Sequence, residues 1–223
     1  MADKFLKREN LGRLIDSVRS RGGRFVAPAI EARQAVYRAI SGADEITWDI
    51  LPRNSFKDFL FPQTEVIAEY SIGDGGVDIK GREASPKDTV VFGARPCEAA
   101  SIASLRSVFT WDFVDEFYTG REDKTTVITV ACTNGDEACF CTTVGLSPES
   151  IAGSDVMLKE TVDGDFSVYA VTDRGREFLR VHAAAFDDCR DGSAQKPLFM
   201  PEKIKGVDIS RIKKRLADKA HYD

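Results

Sequence analysis

Two short apolar runs constrain the fold of this chain more than any other feature of its sequence. Residues 89–93 and 125–131 consist of β-branched, aromatic and small side chains and contain no charged residue. Continuous runs of this kind are typical of strands that are buried on both faces of a parallel sheet. A helical pattern at residues 97–109 separates them, so the order strand, helix, strand predicts a βαβ unit.

Patterns in the rest of the sequence predict the other elements of an α/β fold with a mixed sheet. We expect a helix at residues 4–20 and a strand at residues 24–27 that ends at Pro28, because proline cannot donate a ladder hydrogen bond. Two further short strands are predicted at residues 35–40 and 45–49.

Turn signals predict two hairpins, and a basic amphipathic pattern predicts one further helix. Residues 65–80 alternate around a glycine-rich turn, residues 155–172 alternate around Asp163-Gly164, and residues 210–221 have helical spacing. We expect a smaller α+β N-terminal part at residues 1–86 and an α/β cysteine-bearing part at residues 87–223, unless the two form one continuous domain.

Four of the five cysteines are predicted to meet at one edge of the sheet. Cys97 and Cys132 follow the two buried strands, whose carboxyl ends lie together if the strands are parallel neighbours, and the loop after Cys132 supplies Cys139 and Cys141. Four thiolates without histidine suit a [4Fe–4S] cluster or a structural zinc ion. Cys189 lies among acidic residues that disfavour a thiolate, and we expect that it is not a ligand.

The cysteine spacing alone leaves these alternatives open. The sequence contains neither the short Cys-x₂₋₄-Cys pairs of zinc sites nor the Cys-x₂-Cys-x₂-Cys run of ferredoxins. The thiols could also be unligated and pack as small hydrophobic groups. A thiol-based redox enzyme with Cys139 or Cys141 as its nucleophile is a weaker reading, because no histidine or lysine is close in sequence.

Charge and hydropathy restrict the possible partners and the compartment. The chain has 31 Lys and Arg against 36 Asp and Glu, a net charge of −5, and so it lacks the positive field of nucleic-acid-binding proteins. No apolar run approaches the roughly 20 residues that span a bilayer, and the N-terminus lacks the apolar core of a signal peptide. We therefore expect a cytoplasmic protein with no nucleic-acid partner and no membrane insertion.

The cysteine segments also resemble a known family. Phe92-Gly-Ala-Arg-Pro-Cys-Glu98, together with Cys132 and Cys139-Phe-Cys141, is similar to the beta subunits of cytoplasmic hydrogenases (sulfhydrogenases) and to the iron–sulfur subunit of anaerobic sulfite reductase. Both serve in electron transfer. Family members normally continue into a C-terminal ferredoxin module with two Cys-x₂-Cys-x₂-Cys-x₃-Cys-Pro runs, and neither run occurs in this sequence.

The resemblance implies a specific function. It implies one [4Fe–4S] cluster held by Cys97, Cys132, Cys139 and Cys141, with zinc as the alternative metal. The cluster would relay electrons between a flavoprotein partner and a catalytic or ferredoxin subunit, and the chain itself would not act on a substrate. The alternative is a non-redox interaction or scaffold domain in which these cysteines bind a structural zinc ion or remain free thiols.

Overall fold

An eight-stranded mixed sheet forms the centre of the structure, a computed structural model that describes residues 2–73, 75–82, 84–189 and 193–217. The strands are β1 (Lys4–Leu6), β2 (Arg24–Glu31), β3 (Gln34–Ala39), β4 (Ala68–Gly73), β5 (Gly76–Gly81), β6 (Thr89–Ala94), β7 (Thr125–Val130), β8 (Val156–Glu160), β9 (Phe166–Ala170) and β10 (Asp187–Asp188). The helices are α1 (Leu11–Arg19), α2 (Pro96–Ala100), α3 (Ile102–Phe109), α4 (Glu116–Asp123), α5 (Asp173–Val181) and α6 (Ile209–Ala217).

The predicted α/β class and the mixed sheet are confirmed. The strand order in the large sheet is β10-β1-β9-β8-β7-β6-β2-β3, and β4 and β5 form a separate two-stranded sheet. The neighbours β2, β6, β7 and β8 are parallel to one another, and the remaining pairs of the large sheet are antiparallel. Because β6 and β7 are parallel neighbours joined through α2, α3 and α4, they form the expected βαβ unit.

Helices cover both faces of the sheet, which explains why its central strands are apolar on both sides. Phe92 of β6 belongs to the core that includes α1 and α5, whereas its neighbour Val91 belongs to the core that includes α2, α3 and α4. Successive residues of a strand point to opposite faces, so a strand between two helical layers needs apolar residues at consecutive positions. The pattern at residues 89–93 therefore follows directly from a three-layer arrangement.

The predicted helix at residues 4–20 is wrong in its first part. Lys4–Leu6 forms strand β1, which lies between β9 and β10, and helix α1 begins only at Leu11. Three residues are too few to show an alternating pattern, and their conformation depends on pairing with strands from the far end of the sequence. Local periodicity could not indicate that pairing.

The predicted end of the second strand at Pro28 is also wrong, because β2 continues to Glu31. The pairing of β2 with β6 stops at Val26, so the missing N–H of Pro28 costs no hydrogen bond to β6. At Gly93 the backbone has φ +77°, and a Cβ there would lie 3.2 Å from Cδ of Pro28. Glycine thus allows β6 to pass close to the proline ring.

Several other predicted elements are confirmed with adjusted boundaries. Both hairpins are present, as β4–β5 and β8–β9. The helix predicted at residues 97–109 is divided into α2 and α3. The predicted strand at residues 45–49 is wrong, since it reduces to one isolated bridge between Ala29 and Ile46. Helix α6 confirms part of the helix predicted at residues 210–221, and residues 218–221 lie outside the described residues.

The large sheet combines strands from both predicted parts of the chain. Strands β1 to β3 come from residues 1–86, and β6 to β10 come from residues 87–223. The division at residue 86 remains a prediction. In the described part of the chain, no helix has the length and apolar character that crossing a membrane requires.

Candidate cysteine site

Cys97 and Cys132 lie just beyond the carboxyl ends of the parallel strands β6 and β7. Cys97 is the second residue of α2, directly after Pro96, and its side chain is exposed. Cys132 is half-buried and its backbone is fixed on both sides: its N–H donates to the carbonyl of Pro148 at 2.9 Å, and its carbonyl accepts from the N–H of Phe199 at 2.8 Å. The predicted shared edge for these two cysteines is therefore present.

The loop after Cys132 brings Cys139 and Cys141 to the same region as free, half-buried thiols. Sγ of Cys139 accepts a hydrogen bond from the N–H of Asp136 at 3.4 Å, and the N–H of Cys139 donates to the carbonyl of Asp136 at 3.2 Å. The carbonyl of Cys141 accepts from the N–H of Leu146 at 2.9 Å. Turns rather than regular structure hold both cysteines, as two thiols separated by one residue require if they are to approach one centre.

Arg95 joins the end of β6 to this loop. Its guanidinium donates to the backbone carbonyl of Asn134 at 3.1 Å and to Oδ1 of the same residue at 2.9 Å. The acceptors are neutral oxygens, and the positive charge of Arg95 acts on the nearby carboxyl of Glu98, whose pKa it lowers against the effect of burial. The loop that carries Cys139 is thereby tied to the segment that carries Cys97.

Burial and neighbouring thiols raise the pKa values of Cys97 and Cys141. The pKa of Cys97 is raised first by desolvation and then by its proximity to Cys132, Glu98 and Cys141. The pKa of Cys141 is raised by desolvation and by Cys132 and Cys139, while a backbone N–H acts in the opposite direction. Cys132 and Cys141 therefore lie close enough to Cys97 to disfavour its ionised form, and Cys132 and Cys139 lie close enough to Cys141 to do the same.

The four thiols are not arranged as a ready-made metal site. Within the described ranges, no three His, Cys, Asp or Glu side chains are arranged so that they could hold a metal ion. The donor chemistry nevertheless fits a thiolate-bound metal centre, because a bound cation would offset both the desolvation and the repulsion that disfavour ionised thiols here.

Cys189 lies far from the other four cysteines, in agreement with its predicted exclusion from the site. It directly follows β10, which is four strand spacings from β7 in the sheet, or about 19 Å at the usual spacing of neighbouring strands. The alternation of strand directions across β8, β9, β1 and β10 also places Cys189 at the opposite end of the strands from Cys132.

A C-terminal strap, residues 198–204, lies over the cysteine loop. A Cβ placed on Gly135 would lie 2.2 Å from Cε1 of Phe199 and 3.0 Å from Sγ of Cys139, so the phenyl ring presses on the loop. The hydroxyl of Thr142 donates to the carbonyl of Pro201 at 2.9 Å. Sequence reasoning missed this strap, because an aperiodic segment gives no indication of what it covers.

A buried polar group anchors the helix that carries Cys97. The Tyr37 hydroxyl donates to Oε2 of Glu98 at 2.9 Å. Burial raises the pKa of Glu98, and hydrogen bonds from Ser55 and Tyr37 act against that shift. The same pairing and burial raise the pKa of Tyr37 well above its ordinary value. Tyr37 and Glu98 are 61 positions apart, so the sequence contains no local signal for the contact.

A cleft of about 620 Å³ adjoins the cysteine loop at the carboxyl ends of the parallel strands. Arg95 and Asn134 form part of its wall. On another wall, the buried carboxylate of Glu160 accepts from Arg8 at 2.6 Å and from Lys196 at 2.7 Å. Two cations therefore share one carboxylate beside the loop, and this ion-pair group ties the end of β8 to the segment after β1 and to Lys196.

Comparison with known proteins does not identify a family for the chain. No protein-family model matches the chain, and no curated protein matches it either.

Proposed function

We propose that this chain is an iron–sulfur electron-transfer subunit that carries one [4Fe–4S] cluster on Cys97, Cys132, Cys139 and Cys141. One observation carries the proposal: Cys97 and Cys132 follow two adjacent parallel strands at their carboxyl ends, and the loop after Cys132 brings Cys139 and Cys141 near them. Four ionised thiolates in one group repel one another unless a metal centre neutralises them. Binding of such a centre would therefore also stabilise the fold of the loop.

The residues around the thiols have roles that suit this function. When bound, the cluster would supply one-electron chemistry, and the protein would set its potential through hydrogen bonds and solvent access. The N–H of Asp136 already donates to Sγ of Cys139, and a bond of this kind stabilises negative charge on a ligand sulfur. The cation of Arg95 offsets charge nearby, and Phe199 limits the access of water to the loop.

The family resemblance supports the choice of partners. In a cytoplasmic complex similar to those of the sulfhydrogenases or anaerobic sulfite reductase, the chain would receive electrons from a flavoprotein and pass them to a catalytic or ferredoxin subunit, or the reverse. It would not itself be the catalytic subunit. Exposure of Cys97 at the surface would bring a docked redox partner close to the site.

A second candidate is a non-redox interaction or scaffold domain with structural zinc or free thiols. Its free-thiol form is favoured by one specific observation, namely that the described side chains are not arranged to hold a metal ion. Free thiols with raised pKa values would remain protonated at neutral pH and would pack as weakly polar groups.

Metal analysis of protein purified without oxygen distinguishes the two candidates. We expect about four iron and four sulfide per chain and an electron paramagnetic resonance signal after reduction. Cys97→Ser and Cys141→Ser should each lower the iron content sharply. Cys189→Ser is the matched control, because it removes an exposed thiol far from the site, and it should leave the iron content unchanged.

Other results would contradict the iron–sulfur proposal or its set of ligands. One zinc per chain, or no metal at all in protein with intact secondary structure, would support the scaffold domain. Full iron content in both Cys97→Ser and Cys141→Ser would contradict this ligand set, and loss of iron in Cys189→Ser would contradict the exclusion of that residue.

A further inference from the structure

The β4–β5 hairpin has one apolar face that the rest of the described chain leaves in solvent. Its two strands form a sheet of their own, and all twelve strand residues are exposed. A two-stranded hairpin is marginally stable by itself in water, since it has no layer against which to bury its apolar side chains. A surface of this composition on a folded protein marks an interaction site.

The register of the hairpin separates apolar from charged side chains completely. Tyr70 pairs with Ile79, and Ile72 pairs with Val77, so these four residues share one face. Their exposed fractions are 73, 68, 75 and 62% respectively. On the opposite face Glu69 pairs with Lys80 and Ser71 with Asp78.

The hairpin is rooted far from the cysteine site. The segment that follows it leads into Thr89, the first residue of β6, whereas Cys97 lies beyond the last residue of β6. Six residues of strand separate the two ends by about 20 Å. The hairpin is therefore attached at the opposite end of β6 from the thiols, and its apolar face is a surface separate from the cysteine site.

We propose that this apolar face binds the same face of a second copy of the chain. Two hairpins packed face to face would form a small four-stranded sandwich with a two-fold axis, in which all charged strand residues point away from the contact. No like charges would be brought together, because the face that self-associates carries none of the charged strand residues.

The apolar area that two such faces would bury is the size expected for a weak, reversible dimer. Each aliphatic side chain offers roughly 100 Å² of apolar surface and tyrosine somewhat more, so two copies would bury about 1,000 Å² in total. This area is at the lower limit for a specific interface. We therefore expect a dissociation constant on the order of 10 μM.

Sedimentation equilibrium of the full chain from about 1 to about 200 μM tests the proposal. The unmodified protein should change from monomer to dimer across this range. Ile72→Lys should raise the dissociation constant about 100-fold, because in a symmetric dimer the substitution is present on both sides of the contact. Ser71→Lys is the matched control: it introduces the same side chain one position away, on the charged face opposite Asp78, and it should leave dimerisation unchanged.

A second measurement on the unmodified protein does not depend on whether a variant folds. Amide hydrogen exchange at the two ends of the concentration range should show concentration-dependent protection of residues 68–73 and 76–81. A monomer at every concentration would overturn the proposal. It would also be overturned by a dimer that responds equally to Ile72→Lys and Ser71→Lys, or by a dimer without protection in the hairpin.

Discussion

Replacing Gly153 with alanine should displace the helix that carries Cys97. Gly153 precedes β8 and has φ +74°, and a Cβ at this position would lie 2.0 Å from the carbonyl oxygen of Ala99 in α2 and 2.5 Å from its carbonyl carbon. Both atoms belong to backbone, so no side-chain rotation can relieve the overlap. The loop before β8 or the helix α2 must move.

The expected loss of stability has two parts. A left-handed backbone costs about 1–2 kcal/mol for a residue with a Cβ, and overpacking of a tight contact costs about 1–3 kcal/mol. Together they give about 2–5 kcal/mol, a large share of the roughly 5–15 kcal/mol by which a domain of this size is stable. Urea unfolding followed by circular dichroism measures this difference.

Alkylation of the native protein, followed by mass spectrometry, reports the local effect. In Gly153→Ala the rate of modification of Cys97 should change more than that of Cys189. Gly175→Ala is the matched control, because its Cβ would lie 1.9 Å from the backbone oxygen of Asp155, a contact that does not involve α2. It should lower stability through overpacking and leave the ratio of the two alkylation rates unchanged.

Two outcomes would refute this reasoning. Unfolding free energies of Gly153→Ala and of the unmodified protein that agree within about 0.5 kcal/mol would show that the contact with Ala99 is not tight. Equal changes of the alkylation ratio in Gly153→Ala and Gly175→Ala would show that general destabilisation, rather than movement of α2, exposes Cys97.

Two further predictions concern the strap and the pH dependence of stability. Gly135→Ala should loosen the C-terminal strap and increase amide exchange at Phe199. The double variant with Phe199→Ala should lose less unfolding free energy than the sum of the losses in the two single variants, because the overlap between the new Cβ and the phenyl ring is then absent. Burial and the nearby Arg21 lower the pKa of His182 below its ordinary value of 6.5. Below about pH 6.5 the unfolded chain therefore binds more protons than the folded one, and stability should fall on acidification. In urea titrations His182→Gln, which retains a polar partner for Ser17, should reduce this fall, and an unchanged pH dependence would contradict the assignment.

The parts of the fold that could be predicted are those whose signal is local. The buried strands β6 and β7 show consecutive apolar residues, and the β8–β9 hairpin has Asp163-Gly164 at its turn. The common edge for Cys97 and Cys132 follows from two general properties of parallel strands: they run side by side and end together. These inferences need no knowledge of distant contacts.

The parts that could not be predicted depend on residues far apart in sequence. The carboxylate of Glu98 is paired with Tyr37, and nothing near either residue in the sequence indicates the other. Strand β2 continues past Pro28 only because β6 no longer pairs there. The surroundings of Cys139 likewise include Phe199, which lies on the strap and packs beside Gly135.

The position of β1 has a consequence for how the protein is made. This strand lies between β9 and β10, and Lys4 bonds to Asp188, 184 positions later. During synthesis on the ribosome, β1 therefore cannot pair until β9 and β10 have been made. Until then the edges of β1 and β9 remain unpaired. Contacts between such distant segments slow folding, and unpaired strand edges favour aggregation of incomplete chains. The central strands β6 and β7 are close in sequence and can pair earlier, so the cysteine edge would form in the nascent chain before the outer half of the sheet closes.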